Sequence, residues 1–260
     1  MTDYKYINYS VNNGVATIAL NSPDTLNAFH QQMLLELNQA VSYAESDASA
    51  HVVILTGEGR AFSSGADLNE GIVGYSSFVD QCAAEYTPWL MGIHNSSKLY
   101  IAAVNGACAG IGTAAAMNCD FMVMADNSYI FQAFSAIGLM PDGGANWLLV
   151  NKIGYTRALQ LAVDAGRLTA EQCLEYGIAN KVVPAEQLMS EAQSWAETIA
   201  AGSPLAQSST KNLMRRVSSM SYQEVIEEES AMQDKLIKSE DSKNAIKSFF
   251  AKEKPVFEGK

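Results

Sequence analysis

VNGACAGIGTAAA (residues 104–116) is the stretch on which the reading of this chain turns. Val104 closes an apolar run over residues 100–104 that reads as a strand. Gly106, Gly110 and Gly112 then alternate with small residues, and residues 113–117 read as helix. A strand, a glycine-rich turn and a helix in that order leave unpaired backbone N–H groups at a helix N-terminus, where the helix dipole also favours negative charge. Such a turn stabilises an anion without any charged side chain. It lacks the lysine of a phosphate loop and the spacing and downstream carboxylate of a dinucleotide fingerprint, which argues against nucleotide phosphate. Taken alone, the pattern equally fits small residues that let a buried helix pack close to a sheet.

Upstream, residues 4–10 and 15–20 are strand-like and meet at Asn13-Gly14, a pair that tolerates the positive φ of a hairpin turn. Phe29, Met33, Leu37, Ala40, Val41 and Ala44 recur at helical spacing over residues 27–47. A short apolar strand at 51–56 feeds a polar loop, GEGRAFSSGADLNE (57–70), and residues 77–94 return as helix. A Gly/Ser loop placed directly after a buried strand is a frequent seat of function. Downstream, 121–125 and 129–131 read as strands, GLMPDGG (138–144) as a turn and 147–153 as helix.

From residue 155 the pattern becomes helical: 155–165, then 169–176 behind a Thr169/Gln172 capping box, with a lone strand at 179–183. Residues 185–201 follow as helix, Ser203-Pro204 caps another, Ser221/Glu224 caps a long charged one, and 242–252 is the last. The shift to all-helical sequence near residue 195 divides the chain into a module at 1–195 and a helical region at 196–260.

With 260 residues, a full hydrophobic core is available. The net charge is −11 and the basic residues form no stripe, which excludes nucleic acid as the expected partner. Cys82, Cys108, Cys119 and Cys173 sit among apolar neighbours without C-x-x-C spacing, as free thiols of a reducing compartment do. His30, His51 and His94 are too dispersed for a metal or triad constellation, and no metal site is expected. The polar opening MTDYKYINYS and the interruption of the small-residue region by Asn105, Asn118 and Asp120 lead us to expect a soluble, cytoplasmic protein with no membrane association.

Three stretches taken together carry a resemblance. LNSPDTLNAF (20–29), GRAFSSGADLNE (59–70) and VNGACAGIGTAAAMNCDF (104–121), followed by GLMPDGG, resemble the enoyl-CoA hydratase/isomerase family, the crotonases, over nearly the whole chain. The resemblance implies an α/β fold, a spiral of ββα repeats with a C-terminal helical trimerisation region, packing as trimers or pairs of trimers. It implies an acyl-CoA thioester as substrate and no separate cofactor, coenzyme A being part of the substrate. It also implies that two backbone N–H groups hold the enolate-like oxyanion of the thioester, at positions matching Ala66 and Ile111. The second position is commonly glycine in the family, so Ile111 departs from the pattern in side chain and keeps the main-chain donor. By the same resemblance Leu26 and Ala28 line the pantetheine path, and Ser64, Gly65, Ala66, Gly110, Ile111 and Phe134 belong to the substrate site.

The acid/base positions set this chain apart. Hydratases of the family use two glutamates, and the matching positions here hold Ala114 and Phe134, neither of which shuttles a proton. Asp142, in PDGG, remains where related isomerases often place a single carboxylate. An aspartate between proline and glycine is also an ordinary turn residue or helix cap. The expected activity is isomerisation of a 3-enoyl to a 2-enoyl thioester with Asp142 as the base. The alternatives are a hydratase with relocated acid/base groups, for which Glu70 or a tyrosine is available, and a silent acyl-CoA-binding homologue.

Overall fold

The computed structural model describes residues 4–260, so the first three residues of the module at 1–195 lie outside the description. β1 (Ile7–Asn12) and β2 (Val15–Leu20) form the expected antiparallel hairpin, with Asn13 and Gly14 both at positive φ. α1 (Gln31–Ser46) buries Met33, Leu34, Leu37, Ala40, Val41 and Ala44. It starts later than the periodicity alone indicates because Leu26 and Asn27 are left-handed (φ 55° each) and Phe29 is drawn into a parallel bridge with Ala66. The chain continues through β3 (Val52–Gly57), β4 (Ala61–Ser63), α2 (Phe78–Gln81), a π-helical turn at Cys82–Tyr86 and α3 (Thr87–Asn95). Next come β5 (Leu99–Val104), β6 (Ala107–Ala109), α4 (Ile111–Asn118), β7 (Phe121–Ala125), β8 (Tyr129–Phe131), a 3-10 turn at Ala133–Ile137, α5 (Ala145–Ile153) and α6 (Tyr155–Val163). After β9 (Arg167–Thr169), α7 (Ala170–Glu175) and β10 (Lys181–Val183), four helices close the chain: α8 (Leu188–Ala200), α9 (Pro204–Met214), α10 (Tyr222–Lys238) and α11 (Glu240–Ala251).

A six-stranded sheet runs β1-β2-β3-β5-β7-β10, parallel from β2 onward, and a four-stranded sheet runs β4-β6-β8-β9. The pairs β3-β4, β5-β6 and β7-β8 are successive turns of one spiral, each giving a longer strand to the first sheet and a three-residue strand to the second before helical structure follows. This is the ββα spiral the resemblance implies. The long parallel strands are buried on both faces. Val53 and Leu55 point into the main core with Leu37, Trp89 and Met117, whereas Val52 and Ile54 face Leu188, Ala192 and Ala196 of α8.

α8 therefore crosses residue 195 without a break and belongs to the core, so the boundary drawn from composition falls inside a helix; the chain leaves the core only after Gly202. The capping boxes at Thr169/Gln172 and Ser221/Glu224 form as expected, and Ser203 caps α9 with Pro204 in its first turn. Cys108, Cys119 and Cys173 are buried free thiols, and burial pushes the latter two up to about 12. Among the described residues, no helix is long and apolar enough to cross a membrane.

Candidate active site

The short strands β4, β6 and β8 are parallel, so their C-terminal ends deliver three loops to one place. β4 leads into Ser64–Asp67, β6 into Gly110, and β8 into Ala133 and Phe134. Open α/β sheets bind ligands at such ends. A cavity of about 240 Å³ lies there, lined by Ser64, Gly65, Ala66, Gly110, Ile111, Phe134 and Asp142 together with Phe29, Glu70, Tyr86, Leu68, Ile72, Ile137 and Leu139.

The first wall is knitted to the loop before α1. Ser64 N–H donates to the Leu26 carbonyl (2.9 Å), the Ser63 hydroxyl to the Asn27 carbonyl (2.8 Å), Phe29 N–H to the Gly65 carbonyl (2.8 Å) and Asp67 N–H to the Phe29 carbonyl (2.9 Å). Asn27, fully buried, donates to the carbonyls of Glu58 and Ala61 and accepts from Ser22 N–H. In this parallel bridge the groups flanking Ala66 bond Phe29, which turns the Ala66 N–H away from the pair and leaves it without an acceptor among the described residues.

The second wall is the start of α4. Ile111 is its first residue, so its N–H is one of the donors every helix leaves unpaired. Gln132, fully buried, donates to the Thr113 hydroxyl (2.7 Å), which donates to the Gly110 carbonyl (2.7 Å), and Gly110 N–H donates to the Phe131 carbonyl (3.0 Å). The two walls approach backbone to backbone. A Cβ on Gly65 (φ +98°) would stand 3.1 Å from the Ala109 carbonyl oxygen, and one on Gly110 (φ +52°) 3.7 Å from the Gly65 Cα. The positive φ favours glycine at both positions, and at Gly65 the close approach does as well. Two unpaired N–H groups, of Ala66 and Ile111, thus border one cavity.

Asp142 comes from the turn before α5. Gly143 (φ +59°) rests on the first turn of α4, so close that a Cβ there would meet Ile111 Cγ1 at 2.9 Å and Ala114 Cβ at 3.3 Å. Ala114, at a position where the resemblance would place a glutamate, is sealed beneath it with no exposure. The Asp142 side chain caps nothing: α5 is capped by Gly144, and Asp142 Oδ1 is enclosed with no hydrogen-bond partner among the described residues. Burial raises its pKa from the usual aspartate value, more than a backbone N–H bond lowers it. A carboxylate held dry and unpaired against a cavity is a basic one.

The other expected residues fall as follows. Phe134 is buried and forms part of the cavity wall. Leu26 lines a separate cavity of about 330 Å³ with Arg60, Asn105 and Tyr129, at the opposite ends of the short strands, and Ala28 is buried beside Phe29. Asp67 organises its own loop, its Oδ1 accepting from Asn69 N–H (2.9 Å). Glu70 reaches the cavity with its Oε2 bonded to Gln31 N–H (2.7 Å). Tyr86 was not singled out by sequence reasoning. It arrives through the π-helical turn, an irregularity with no local sequence signature.

A model of the enoyl-CoA hydratase/isomerase family matches residues 10–260. A probable enoyl-CoA hydratase of Rhodobacter capsulatus is 33% identical over 257 residues, covering 99% of each chain. The 1,2-epoxyphenylacetyl-CoA isomerase of Escherichia coli is 32% identical over 260 residues, covering 98% of this chain and 99% of that one. A crystal structure of enoyl-CoA hydratase from Bacillus anthracis superimposes with a TM-score of 0.93 at 27% identity, covering 98% of this chain and 100% of that one. The chain belongs to the enoyl-CoA hydratase/isomerase family and has its crotonase fold.

Proposed function

We propose that this enzyme is an enoyl-CoA isomerase that moves a 3-enoyl double bond to the 2-position. The observation that carries the reading is the unpaired, partly buried carboxylate of Asp142 in one cavity with the free N–H groups of Ala66 and Ile111, while Ala114 and Phe134 occupy the positions of the hydratase glutamates. The thioester oxygen accepts from both N–H groups, each such donor being worth about 3–4 kcal/mol in a preorganised site. Asp142 takes a proton from C2, the electron pair spreads over the dienolate, and the same carboxyl returns the proton at C4. One negative charge is present throughout and passes between the carboxylate and the oxyanion. Conjugation with the thioester drives the reaction.

Glu70 supports a second reading, a hydratase with relocated acid/base groups, because its carboxylate also reaches the cavity. Following 2-enoyl thioester absorbance separates the two: 3-enoyl-CoA should raise the signal, and crotonyl-CoA should lose it far more slowly. The converse ratio would replace the isomerase with the hydratase, and no change with either would leave an acyl-CoA-binding homologue.

We also propose assembly in multiples of three. Supporting it, α10 buries none of its residues, and Tyr222, Phe249 and Phe250 are 82%, 78% and 79% exposed. Light scattering that gives a monomer at micromolar concentration would contradict this.

A further inference from the structure

The polar side chains around the cavity can be accounted for one by one. Gln81 gives its amide to Glu85 (2.9 Å), the Ser64 hydroxyl bonds the Thr25 carbonyl (3.2 Å), and Asp67 and Glu70 accept from Asn69 and Gln31. Two side chains are left over: Asp142, which the isomerisation uses and whose Oδ1 has no partner among the described residues, and Tyr86, which lines the cavity and whose hydroxyl makes no hydrogen bond among the described residues. A plain 3-enoyl chain has no use for Tyr86. The enolate oxygen is served by the main chain, the proton by Asp142, and a hydrocarbon tail packed against a buried phenol would leave the hydroxyl unpaired at a real cost.

The phenol keeps its proton and can donate it to an oxygen. Burial, with Asp142, Glu85, Cys82 and Glu70 around it, raises its pKa far above the ordinary value, so it stays protonated at any working pH. The cavity lining also includes three acidic side chains, Asp67, Glu70 and Asp142, and no cationic one. That charge repels an anionic substituent and admits a neutral oxygen. Its free volume equals about eight waters, which suits a compact acyl group.

The geometry points to Tyr86 as a specificity-determining residue that donates a hydrogen bond to a neutral oxygen substituent on the acyl chain, making oxygen-bearing unsaturated acyl thioesters the preferred substrate class. This rests on the isomerase reading for the reaction but not for the binding. The test therefore has two arms.

In the first, kcat/KM is measured for 3-hexenoyl-CoA and for its derivatives with a hydroxyl at C5 or C6, in the wild type and in Tyr86→Phe. The wild type should favour one hydroxylated substrate by about 3- to 10-fold, the worth of one net hydrogen bond, and the variant should bring that ratio close to one. In the second arm, calorimetry compares unreactive hexanoyl-CoA with 5- and 6-hydroxyhexanoyl-CoA, and the same preference and the same loss should appear in Kd. Lack of turnover with the binding preference intact would remove the isomerase and keep the role of Tyr86. A wild type that prefers neither hydroxylated compound, or a Tyr86→Phe protein that keeps the preference, would overturn the assignment. Because the wild-type comparison stands alone, a variant that misfolds does not rescue it.

Discussion

Asp142 and Asp120 lie at opposite ends of the same helix, α4, and are treated in opposite ways. At the C-terminal end, Asp120 Oδ2 accepts from Lys211 Nζ (2.9 Å) and Tyr100 N–H (2.8 Å), and its Oδ1 accepts from Arg215 (2.7 Å). Lys211 also donates to the Lys98 carbonyl (2.7 Å), and Arg215 to the Asn118 carbonyl at the last residue of α4 (2.9 Å). Cations belong at that end of the dipole, and the Asp120 carboxylate is held between two of them. At the N-terminal end, among the described residues, the Ile111 N–H has no acceptor and Asp142 Oδ1 has no donor. One helix thus has a finished end, which holds the C-terminal region to the core, and an unfinished end, whose unpaired groups border the cavity.

The largest test of that contrast is Asp142→Asn, which should keep acyl-CoA binding and lower turnover by ~10²–10⁴, the range for a positioned general base. Near-native kcat would return Asp142 to the role of a turn residue. Asp120→Ala should do the reverse. Leaving Lys211 and Arg215 without their shared partner should cost about 3–5 kcal/mol of stability in urea unfolding, with kcat/KM of the folded protein little changed. Lost turnover at full stability would show that the two ends are not separable.

Ile111→Pro removes the N–H donor at a first helical position, where proline fits, and Gly110 precedes it (φ 52°, ψ −131°) with no Cβ to clash. Turnover should fall by ~10²–10³, with circular dichroism retaining the fold. A folded proline variant with wild-type turnover would remove residue 111 from the oxyanion site. Some loss of stability is also expected, since the Ile111 side chain packs on Gly143.

The smallest effect is on stability against pH. The folded pKa of Asp142 is raised, so between its unfolded and folded values the native state holds more protons than the unfolded one, and stability falls as pH rises through that window. Asp142→Asn should consequently match the wild type in acid and be modestly more stable at neutral pH. In the wild type the acid limb of kcat against pH should lie above that of an exposed aspartate, and equal melting temperatures of the two proteins at both pH values would argue against a desolvated Asp142.

How far local sequence reaches is visible in which elements it located. β2, β7 and β8 appear where their apolar runs place them, and the capping boxes at Thr169 and Ser221 need only a residue and its third neighbour. β4, β6 and β9 carry no apolar run like the Tyr129–Phe131 of β8, and their identity as strands comes from the pairing order β4-β6-β8-β9. That sheet is the one that assembles the cavity.

By itself, then, the sequence determined the hairpin, the main helices and the stretches that carry the family resemblance, with Ala114 and Phe134 where that resemblance would place carboxylates. These are properties of residues and short spacings. Only the tertiary structure decided that Ala66, Ile111 and Asp142 border one cavity while Leu26 faces another, that Asp142 caps nothing, and that Tyr86 enters through a π-helical turn. Those facts depend on which short strands pair and on the close approach of Gly65 to Gly110 and of Gly143 to α4, long-range contacts that no local pattern encodes.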